Sequence, residues 1–277
     1  MLDLVVDPSG SPVFVLAGGS RTGSTLLQRL LISTGEIMIW GEHGGLLLDG
    51  LQRMVAGMAE WIEAEGARHF DRFTSEGWNS WIPNVNPPHE AFVEGARAAL
   101  IRSLAVPAAE LGYRRWGFKE IRYTGGAVEL LKMIFPNAAI IVLVRNPEAA
   151  LRSIKGTAFY AKDYQSRPEV FLSRWATVSL SLARTCRAGS SVRLWRYEDI
   201  VSDPEAAIAS LAAHVAIDAG RFDRTAIETY IGGIPSPAPP DRGLSPDACA
   251  ISLDERDRTA LAAAEVRQVA AQLGYAQ

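Results

Sequence analysis

The sequence predicts an α/β fold in which a mostly parallel central sheet lies between helices on both faces. Short, continuous apolar runs alternate with amphipathic segments of helical length, as in strands that are buried on both faces and joined by helical crossovers. A glycine-bearing turn connects the first apolar run to the first helix. The chain has 277 residues, 48% of them apolar, and no linker clearly divides it. We therefore expect one domain over residues 1–277 with a sizeable core.

The first elements form a strand–loop–helix unit followed by a second strand. Val13–Ala17 is a continuous apolar run of strand length. Ser24–Thr34 carries leucines at helical spacing, and Gly35 ends this helix. A brief apolar run, Ile37–Trp40, follows. The glycines between the first strand and the first helix allow a tight turn that directs several backbone N–H groups to one point.

The segment 40–105 has a different character. Helices are expected over residues 46–63 and 90–104, whereas residues 66–89 are less regular and contain three prolines. The crowded aromatic side chains of this segment either line a pocket or form a core beneath a lid; they are Trp61, Phe70, Phe73, Trp78 and Trp81.

The second half of the chain repeats the alternation of strands and helices. Pro147 lies where a helix favours proline, in its first turn. Residues 232–247 hold five prolines and three glycines and are expected to form a loop. The expected strands are Trp116–Ile121, Ala138–Val144 and Val192–Trp195, and the expected helices are Ala127–Phe135, Pro147–Lys155, Pro168–Arg187, Pro204–His214 and Leu253–Leu273.

Composition excludes several classes of function. The net charge is −3, and of 28 basic residues 24 are Arg and four are Lys, so no global basic field favours nucleic acid or an anionic membrane. Cys186 and Cys249 lie far apart and are expected to be reduced thiols. The four histidines show no metal-ligand spacing. Residues 1–12 lack a basic n-region, and the longest apolar runs are of strand length, so we expect a cytoplasmic protein without a membrane span.

The loop Gly18–Thr25 has the glycine spacing of a P-loop but lacks its lysine. Ser24 stands where that lysine would reach the phosphates of a nucleoside triphosphate. The strand that ends at Val144 is followed by Arg145 and Asn146 instead of a carboxylate for Mg²⁺. The loop therefore fits a phosphate but not a triphosphate with magnesium. A turn without ligand is the alternative, but it does not account for the cluster of hydroxyls and Arg21.

Four segments together resemble the sulfotransferase family, in the order in which that family carries them. They span roughly residues 13–215, and the arginine in the first loop makes the resemblance closest to the bacterial and Golgi-type branches. The segments are Ser20–Leu27, similar to the 5′-phosphosulfate loop; Trp116–Lys119, similar to a lysine-bearing strand; Val142–Pro147 with Ser153 eight residues after Arg145, similar to the 3′-phosphate segment; and Arg196–Pro204, similar to an R-Y-E-D-L-x-x-x-P segment.

The resemblance implies a P-loop-containing three-layer fold and a donor, 3′-phosphoadenosine 5′-phosphosulfate (PAPS), whose product is adenosine 3′,5′-bisphosphate (PAP). It assigns the 5′-phosphate to the backbone N–H groups of Thr22, Gly23, Ser24 and Thr25. Arg145 and Ser153 would hold the 3′-phosphate, and Tyr197 would contact the adenine. Arg21 and Lys119 would stabilise the charge that builds on the oxygen between phosphorus and sulfur, and no metal is implied.

The acceptor also needs a base, and two neighbouring residues qualify. Counting from Arg21 as in the Golgi-type branch leads to Glu42, and the adjacent His43 is of the type that other branches use. Neighbours in an extended segment point in opposite directions, so we expect one of them to face the donor and favour Glu42. A turn with a capping Glu and a solvated His is the alternative interpretation.

The acceptor is expected to bind against residues 40–105, a helical and aromatic insertion. A small molecule, sugar, lipid or peptide with a hydroxyl or amine fits the resemblance equally. Two other functions stay open at this point: a P-loop small-molecule kinase, which the missing loop lysine disfavours, and a PAPS- or PAP-binding protein without catalysis, which the set of Arg21, Lys119 and Glu42 disfavours.

Overall fold

The structure is a computed structural model that describes residues 11–187, 190–228 and 251–275. Within these residues one sheet of five parallel strands lies between two layers of helices, which confirms the predicted fold class. The strands are β1 (Val13–Ala17), β2 (Ile37–Trp40), β3 (Arg115–Glu120), β4 (Ala139–Val144) and β5 (Val192–Arg196). Their order across the sheet is β2-β3-β1-β4-β5.

The helices follow the strands in the alternation that a parallel sheet requires. Two π-helical turns are present: Ile62–Gly66 connects the second helix to the third, and Ile101–Ala105 connects the fourth helix to the fifth. The helices are α1 (Ser24–Ile32), α2 (Leu46–Trp61), α3 (Ala67–Glu76), α4 (His89–Leu100), α5 (Val106–Glu110), α6 (Gly125–Ile134), α7 (Pro147–Lys155), α8 (Ala158–Tyr164), α9 (Pro168–Ala183), α10 (Tyr197–Ser202), α11 (Pro204–Val215), α12 (Thr225–Glu228), α13 (Glu255–Leu261) and α14 (Ala264–Gln272).

The two faces of β1 show how the sheet is buried. Phe14 and Leu16 point into one core, shared with α2, α4, α6, α9 and α14. Val13 and Val15 point into the other core, shared with α1 and α11. Side chains alternate between the faces of a strand, so a strand that is apolar at every position needs a helical layer on each side.

The strand order brings four loops together at the carboxyl-terminal end of the sheet. In parallel strands all carboxyl ends lie on the same side, and β1 pairs with β3 on one flank and β4 on the other. The segments 18–23, 41–45, 121–124 and 145–146 therefore surround the carboxyl end of β1, which is where open α/β sheets bind ligands. None of the described helices is both long and apolar enough to cross a bilayer.

Several element predictions were wrong or incomplete. Residues 67–76 are helical, because the π-helical turn continues α2 into α3 without a cap that would signal a new helix. The short helices α5, α8, α10 and α12 were not predicted. The expected terminal helix breaks at Ala263, whose backbone is extended, and both halves, α13 and α14, pack on α9. The expected loop 232–247 lies outside the described residues.

Candidate functional site

The loop after β1 makes a tight turn that leads directly into the start of α1. Gly19, Arg21 and Gly23 all have positive φ values, of 104°, 64° and 91°. Thr22 is fully buried and donates its hydroxyl hydrogen to the carbonyl of Gly19. Gly23 caps α1 without a side-chain hydrogen bond, and the first turn of α1 has no acidic residue. The helix therefore presents an uncompensated positive end, which suits an anion.

The ring of Tyr197 packs against the loop that follows β1. A Cβ atom on Gly23 would lie 2.3 Å from Cδ2 of Tyr197, so the ring packs directly against the glycine. The guanidinium of Arg145 lies over the same ring, 4.2 Å from its centroid. Tyr197 is 4% exposed. The ring of Tyr197, which the sequence assigns to an adenine contact, is thus buried between Gly23 and Arg145.

We expect Gly23→Ala to destabilise the protein more than Gly35→Ala. Both glycines have positive φ, 91° and 68°, but an added Cβ at Gly35 meets nothing within 4 Å. Overpacking adds about 1–3 kcal/mol to the cost of the backbone conformation at Gly23. Urea unfolding of both variants measures the difference. Equal losses of unfolding free energy would mean that Tyr197 moves aside at no cost.

Arg145, Arg21 and Ser153 meet at the other side of the loop. Arg145 donates through Nη1 to the carbonyl of Arg21 (2.9 Å), and Arg21 donates through Nε to Oγ of Ser153 (3.0 Å). The Nε atom of Arg145 is buried and has no hydrogen-bond partner among the described residues. Trp175 donates to the carbonyl of Arg145 and holds its backbone (3.1 Å). Three residues predicted from two separate motifs are thus brought together.

A second cluster lies on the opposite flank of β1, at the ends of β2 and β3. Lys119 donates through Nζ to Oε1 of Glu42 (2.5 Å), and Arg122 donates through Nη1 to Oε2 of the same carboxylate (2.9 Å). Lys119 is 7% exposed, whereas the Glu42 side chain is 30% exposed. The carboxylate therefore lies at the open edge of the cluster and the ammonium beneath it.

Glu120 anchors the loop that carries Glu42. Its buried carboxylate accepts hydrogen bonds from the backbone N–H groups of His43 (3.2 Å), Gly45 (2.9 Å) and Ile121 (2.8 Å), and from Arg122 (2.7 Å). Burial acts to raise the pKa of Glu120, but the N–H groups of Ile121 and Gly45 and the guanidinium of Arg122 outweigh it and lower the pKa below its ordinary value. Glu120 is therefore a buried anion that ties together two loops.

We expect Glu120→Gln to lower the free energy of unfolding by about 1–3 kcal/mol at neutral pH, because an amide cannot accept all of these hydrogen bonds. Folding lowers the pKa of Glu120, so the stabilisation is complete above its unfolded value near 4.5 and disappears as the pH falls through the folded value. Urea unfolding across this range measures the effect, with the exposed Glu129→Gln as the matched control. A difference that persists unchanged at acid pH would contradict this role.

His43 points away from Glu42 and into the layer beside α2 and α6. Its ring packs edge-on against Phe118, and Nδ1 lies 3.3 Å from the hydroxyl of Tyr123 and 3.4 Å from Glu120. Its Nε2 atom is buried and has no partner within the described part of the chain. Burial lowers the pKa of His43, although the nearby carboxylates act to raise it. His43 is therefore neutral near pH 7.

The sequence interpretation missed Glu120, Arg122 and Tyr123 as parts of this site. Their signal was present in the run Lys119-Glu120-Ile121-Arg122, where charges cluster at the carboxyl end of a buried strand. Tyr123 accepts the backbone N–H of Leu48 (2.8 Å) and so links the site to α2. Among the described residues, no group of three or more His, Cys, Asp or Glu side chains is placed to hold a metal ion.

The aromatic residues of the 40–105 segment do not form a core. Trp61 is 45% exposed, Trp78 80% and Trp81 60%. Phe73 is also exposed, and Phe70 is partly buried. The alternative of a core beneath a lid is therefore wrong for these side chains, which face outward.

The comparisons with known proteins match sulfotransferases. A family model described as "Sulfotransferase family" matches residues 12–220. The sulfotransferase domain of the Synechococcus PCC 7002 olefin synthase is 18% identical, with a TM-score of 0.54, covering 96% of this chain and 95% of that one. The sulfotransferase domain from the curacin biosynthetic pathway is 16% identical, with a TM-score of 0.52, covering 96% and 98%. At these identities the likeness concerns the fold. No curated protein matches significantly.

Proposed function

Because the chain belongs to the sulfotransferase family, we propose that it transfers a sulfuryl group from PAPS to a hydroxyl or amine of an acceptor. The observation that carries the proposal is the pairing of two features at one sheet edge. One is the positive start of α1, which has no side-chain cap, together with the buried Nε of Arg145, which has no hydrogen-bond partner in the part of the chain that the structure describes. The other is the carboxylate of Glu42 held on the ammonium of Lys119.

The residues present fit a doubly phosphorylated nucleotide. The amides of Thr22 to Thr25 at the start of α1 would hold the 5′-phosphate. Arg145 would bind the 3′-phosphate together with the hydroxyl of Ser153, which in this structure accepts from Arg21. A buried guanidinium nitrogen without a partner is costly unless a ligand supplies the missing acceptor. We propose that Tyr197 holds Gly23 and Arg145 in position.

PAPS, when bound, supplies the sulfuryl group and a phosphate leaving group. Glu42 would take the proton of the acceptor hydroxyl or amine, through the oxygen that faces the open edge. Lys119 carries three N–H donors, of which Glu42 receives one in the described structure. The others would stabilise the negative charge that develops on the bridging oxygen, together with Arg21. Arg122 would keep the carboxylate of Glu42 oriented.

Glu42 is a better-placed base than His43. The carboxylate of Glu42 lies at the edge of the site, on the same side as Lys119. The imidazole of His43 turns toward Phe118 and Tyr123, and its Nε2 atom is shielded. A hydroxyl that reaches Lys119 therefore meets Glu42 first. A kinase would need a cation at the Ser24 position and a carboxylate after β4, where Arg145 and Asn146 lie.

The first test is binding of the desulfo product. PAP at millimolar concentration is expected to raise the melting temperature, because a ligand that binds only the folded state stabilises it. A mass-spectrometric screen with PAPS and a panel of phenols, sugars and natural-product alcohols is then expected to show the gain of one sulfuryl group without added metal. Absence of any thermal shift with PAP would count against the proposal.

Arg145→Ala is expected to weaken PAP binding by about 10–100-fold, since charge-assisted hydrogen bonds contribute about 1.5–3 kcal/mol. Adenosine 5′-monophosphate, which lacks the 3′-phosphate, should bind both proteins about equally. Arg193→Ala is the matched control, because Arg193 also stacks on an aromatic ring, that of Trp195, away from the loop. Calorimetric titration measures the affinity of each of the three proteins for each nucleotide. Equal losses for the two nucleotides would refute the 3′-phosphate assignment.

A further inference from the structure

The start of α10 contacts the candidate 3′-phosphate segment at two points. The ring of Tyr197 lies against the guanidinium of Arg145, whose Cζ atom is 4.2 Å from the ring centroid. The next residue, Glu198, accepts through Oε1 the backbone N–H of Asn146 (2.9 Å), which directly follows Arg145. Two consecutive residues of one segment therefore contact both the side chain of Arg145 and the main chain beside it.

The peptide group between Arg145 and Asn146 is held at both of its polar atoms. Its carbonyl oxygen accepts the indole N–H of Trp175 (3.1 Å), and its N–H donates to Glu198 (2.9 Å). A peptide group is planar, so two hydrogen bonds to its polar atoms fix its orientation. The direction in which the side chain of Arg145 leaves the backbone therefore depends on Glu198.

Asn146 also starts the helix that carries Ser153. Its Oδ1 atom accepts the N–H groups of Glu148 (2.9 Å) and Ala149 (3.2 Å), which makes Asn146 the N-cap of α7. Ser153 lies on the same helix. A shift of Asn146 would therefore displace both side chains that we propose for the 3′-phosphate, those of Arg145 and Ser153.

Tyr275, which follows α14, binds the other oxygen of Glu198. Its hydroxyl donates to Oε2 (3.0 Å), and its side chain is 7% exposed. Burial raises the pKa of Tyr275, and the neighbouring carboxylate of Glu198 raises it further, so the phenol keeps its proton and remains a donor. Arg196 makes a second link to the same segment by donating to the carbonyl of Gly274 (3.1 Å). The carboxylate of Glu198 is thus held between Tyr275 and the start of α7.

We propose that Tyr275 is a positioning residue for the 3′-phosphate of the donor. Its hydroxyl holds the carboxylate of Glu198, this carboxylate holds the N–H of Asn146, and the held peptide group directs Arg145 to the phosphate. The inference rests on the proposed function, because it concerns the same nucleotide. A binding site is precise when the residues that contact the ligand are themselves held by packing and by hydrogen bonds to their neighbours.

Two other roles of Glu198 predict different results. A carboxylate near a bound phosphate repels it, so its removal would strengthen PAP binding if charge alone mattered. If the contacts of Glu198 only stabilised the fold, their loss would change the binding of PAP and of adenosine 5′-monophosphate (AMP) equally. Positioning of Arg145 predicts instead that PAP binds more weakly while AMP, which lacks the 3′-phosphate, binds as before.

The test is calorimetric titration of Tyr275→Phe with PAP and with AMP. We expect the affinity for PAP to fall about 3–10-fold, less than for the loss of a direct contact, and the affinity for AMP to stay within about twofold of wild type. Glu198→Ala should also weaken PAP binding. Adding Tyr275→Phe to Glu198→Ala should cause no further loss, because the hydroxyl acts through the carboxylate.

Glu198→Gln provides the conservative comparison. Its amide oxygen can accept the N–H of Asn146 while its amide nitrogen donates to the hydroxyl oxygen of Tyr275, so the link is kept without the charge. PAP affinity of this variant should therefore stay within about twofold of wild type. Val269→Ala is the matched control for stability, since Val269 is buried on α14 in the core. It should lower the melting temperature and keep the wild-type ratio of PAP affinity to AMP affinity.

The remaining outcomes overturn either the positioning role or the proposed function. Unchanged PAP affinity in Tyr275→Phe, or equal losses for PAP and AMP, would overturn the positioning role and leave the proposed function intact. Tighter PAP binding by Glu198→Ala would do the same. Absence of PAP binding by the wild-type protein would instead contradict the proposed function itself.

Discussion

Glu42→Gln is expected to lower kcat by about 10²–10⁴-fold, the range that a positioned general base contributes. The amide keeps the size of the side chain, and its one oxygen can still accept a hydrogen bond from Lys119 or from Arg122, which contact the two carboxylate oxygens of Glu42 at 2.5 and 2.9 Å. It cannot take a proton from the acceptor. The affinity for PAP should stay within about twofold, because Glu42 lies on the flank of β1 opposite to Arg145. Single-turnover transfer measures the loss.

His43→Gln separates the two candidate bases. We expect it to cost less than about tenfold in kcat, since the ring faces Phe118 and Tyr123 and acts on the site through packing. Urea unfolding of both variants shows how much of any loss is structural. If His43→Gln removed activity while Glu42→Gln kept it, the base would be His43 and the loop 41–45 would have to rearrange when acceptor binds.

Lys119→Met is expected to lower kcat by about 10²–10³-fold, the range observed when a single preorganised donor to a developing anion is removed. Lys119 is nearly buried, so its charge acts in surroundings where electrostatic interactions are stronger than in water. Methionine fills the same space, and Glu42 keeps its hydrogen bond from Arg122. The stability of the variant should therefore change little, and the loss should appear in the chemical step.

The control for this prediction is Lys132→Met on α6, a lysine outside both clusters. It should keep wild-type kcat. Lys119→Arg provides a second comparison, because it retains the charge but changes the position of the donors. If Lys119→Met had normal kcat and a raised KM, Lys119 would contribute to acceptor binding and not to stabilisation of the transition state.

Sequence reasoning was accurate where short-range pattern decides the structure. β1 and α7 have the predicted bounds, because a continuous apolar run and a proline in the first turn are local signals. The helix α3 escaped prediction because it continues α2 through a π-helical turn. The break at Ala263 escaped because alanine-rich sequence favours helix on both sides, and packing on α9 decides where it stops.

The residues of the candidate site fall into the same two groups, those that a local motif predicts and those that only long-range contacts define. The phosphate loop, Arg145 and Ser153 could be located from motifs, since each lies in or next to a recognisable local unit. Glu120 and Arg122 could not, because a charged run at a strand end has no defined role until its partners are known. The packing of Tyr197 against Gly23 and Arg145, with the side chain 4% exposed, could not be predicted either, because it depends on elements far apart in the chain.

The order of the strands, the glycine loop at the start of α1 and the resemblance to the family follow from the amino-acid pattern alone, since they depend on residues that are near each other in the chain. The meeting of Lys119 with Glu42, 77 residues apart, depends on β2 pairing in parallel with β3, so that both strands end at the same edge. Long-range pairing and burial, which local pattern does not encode, place the proposed base on its cation.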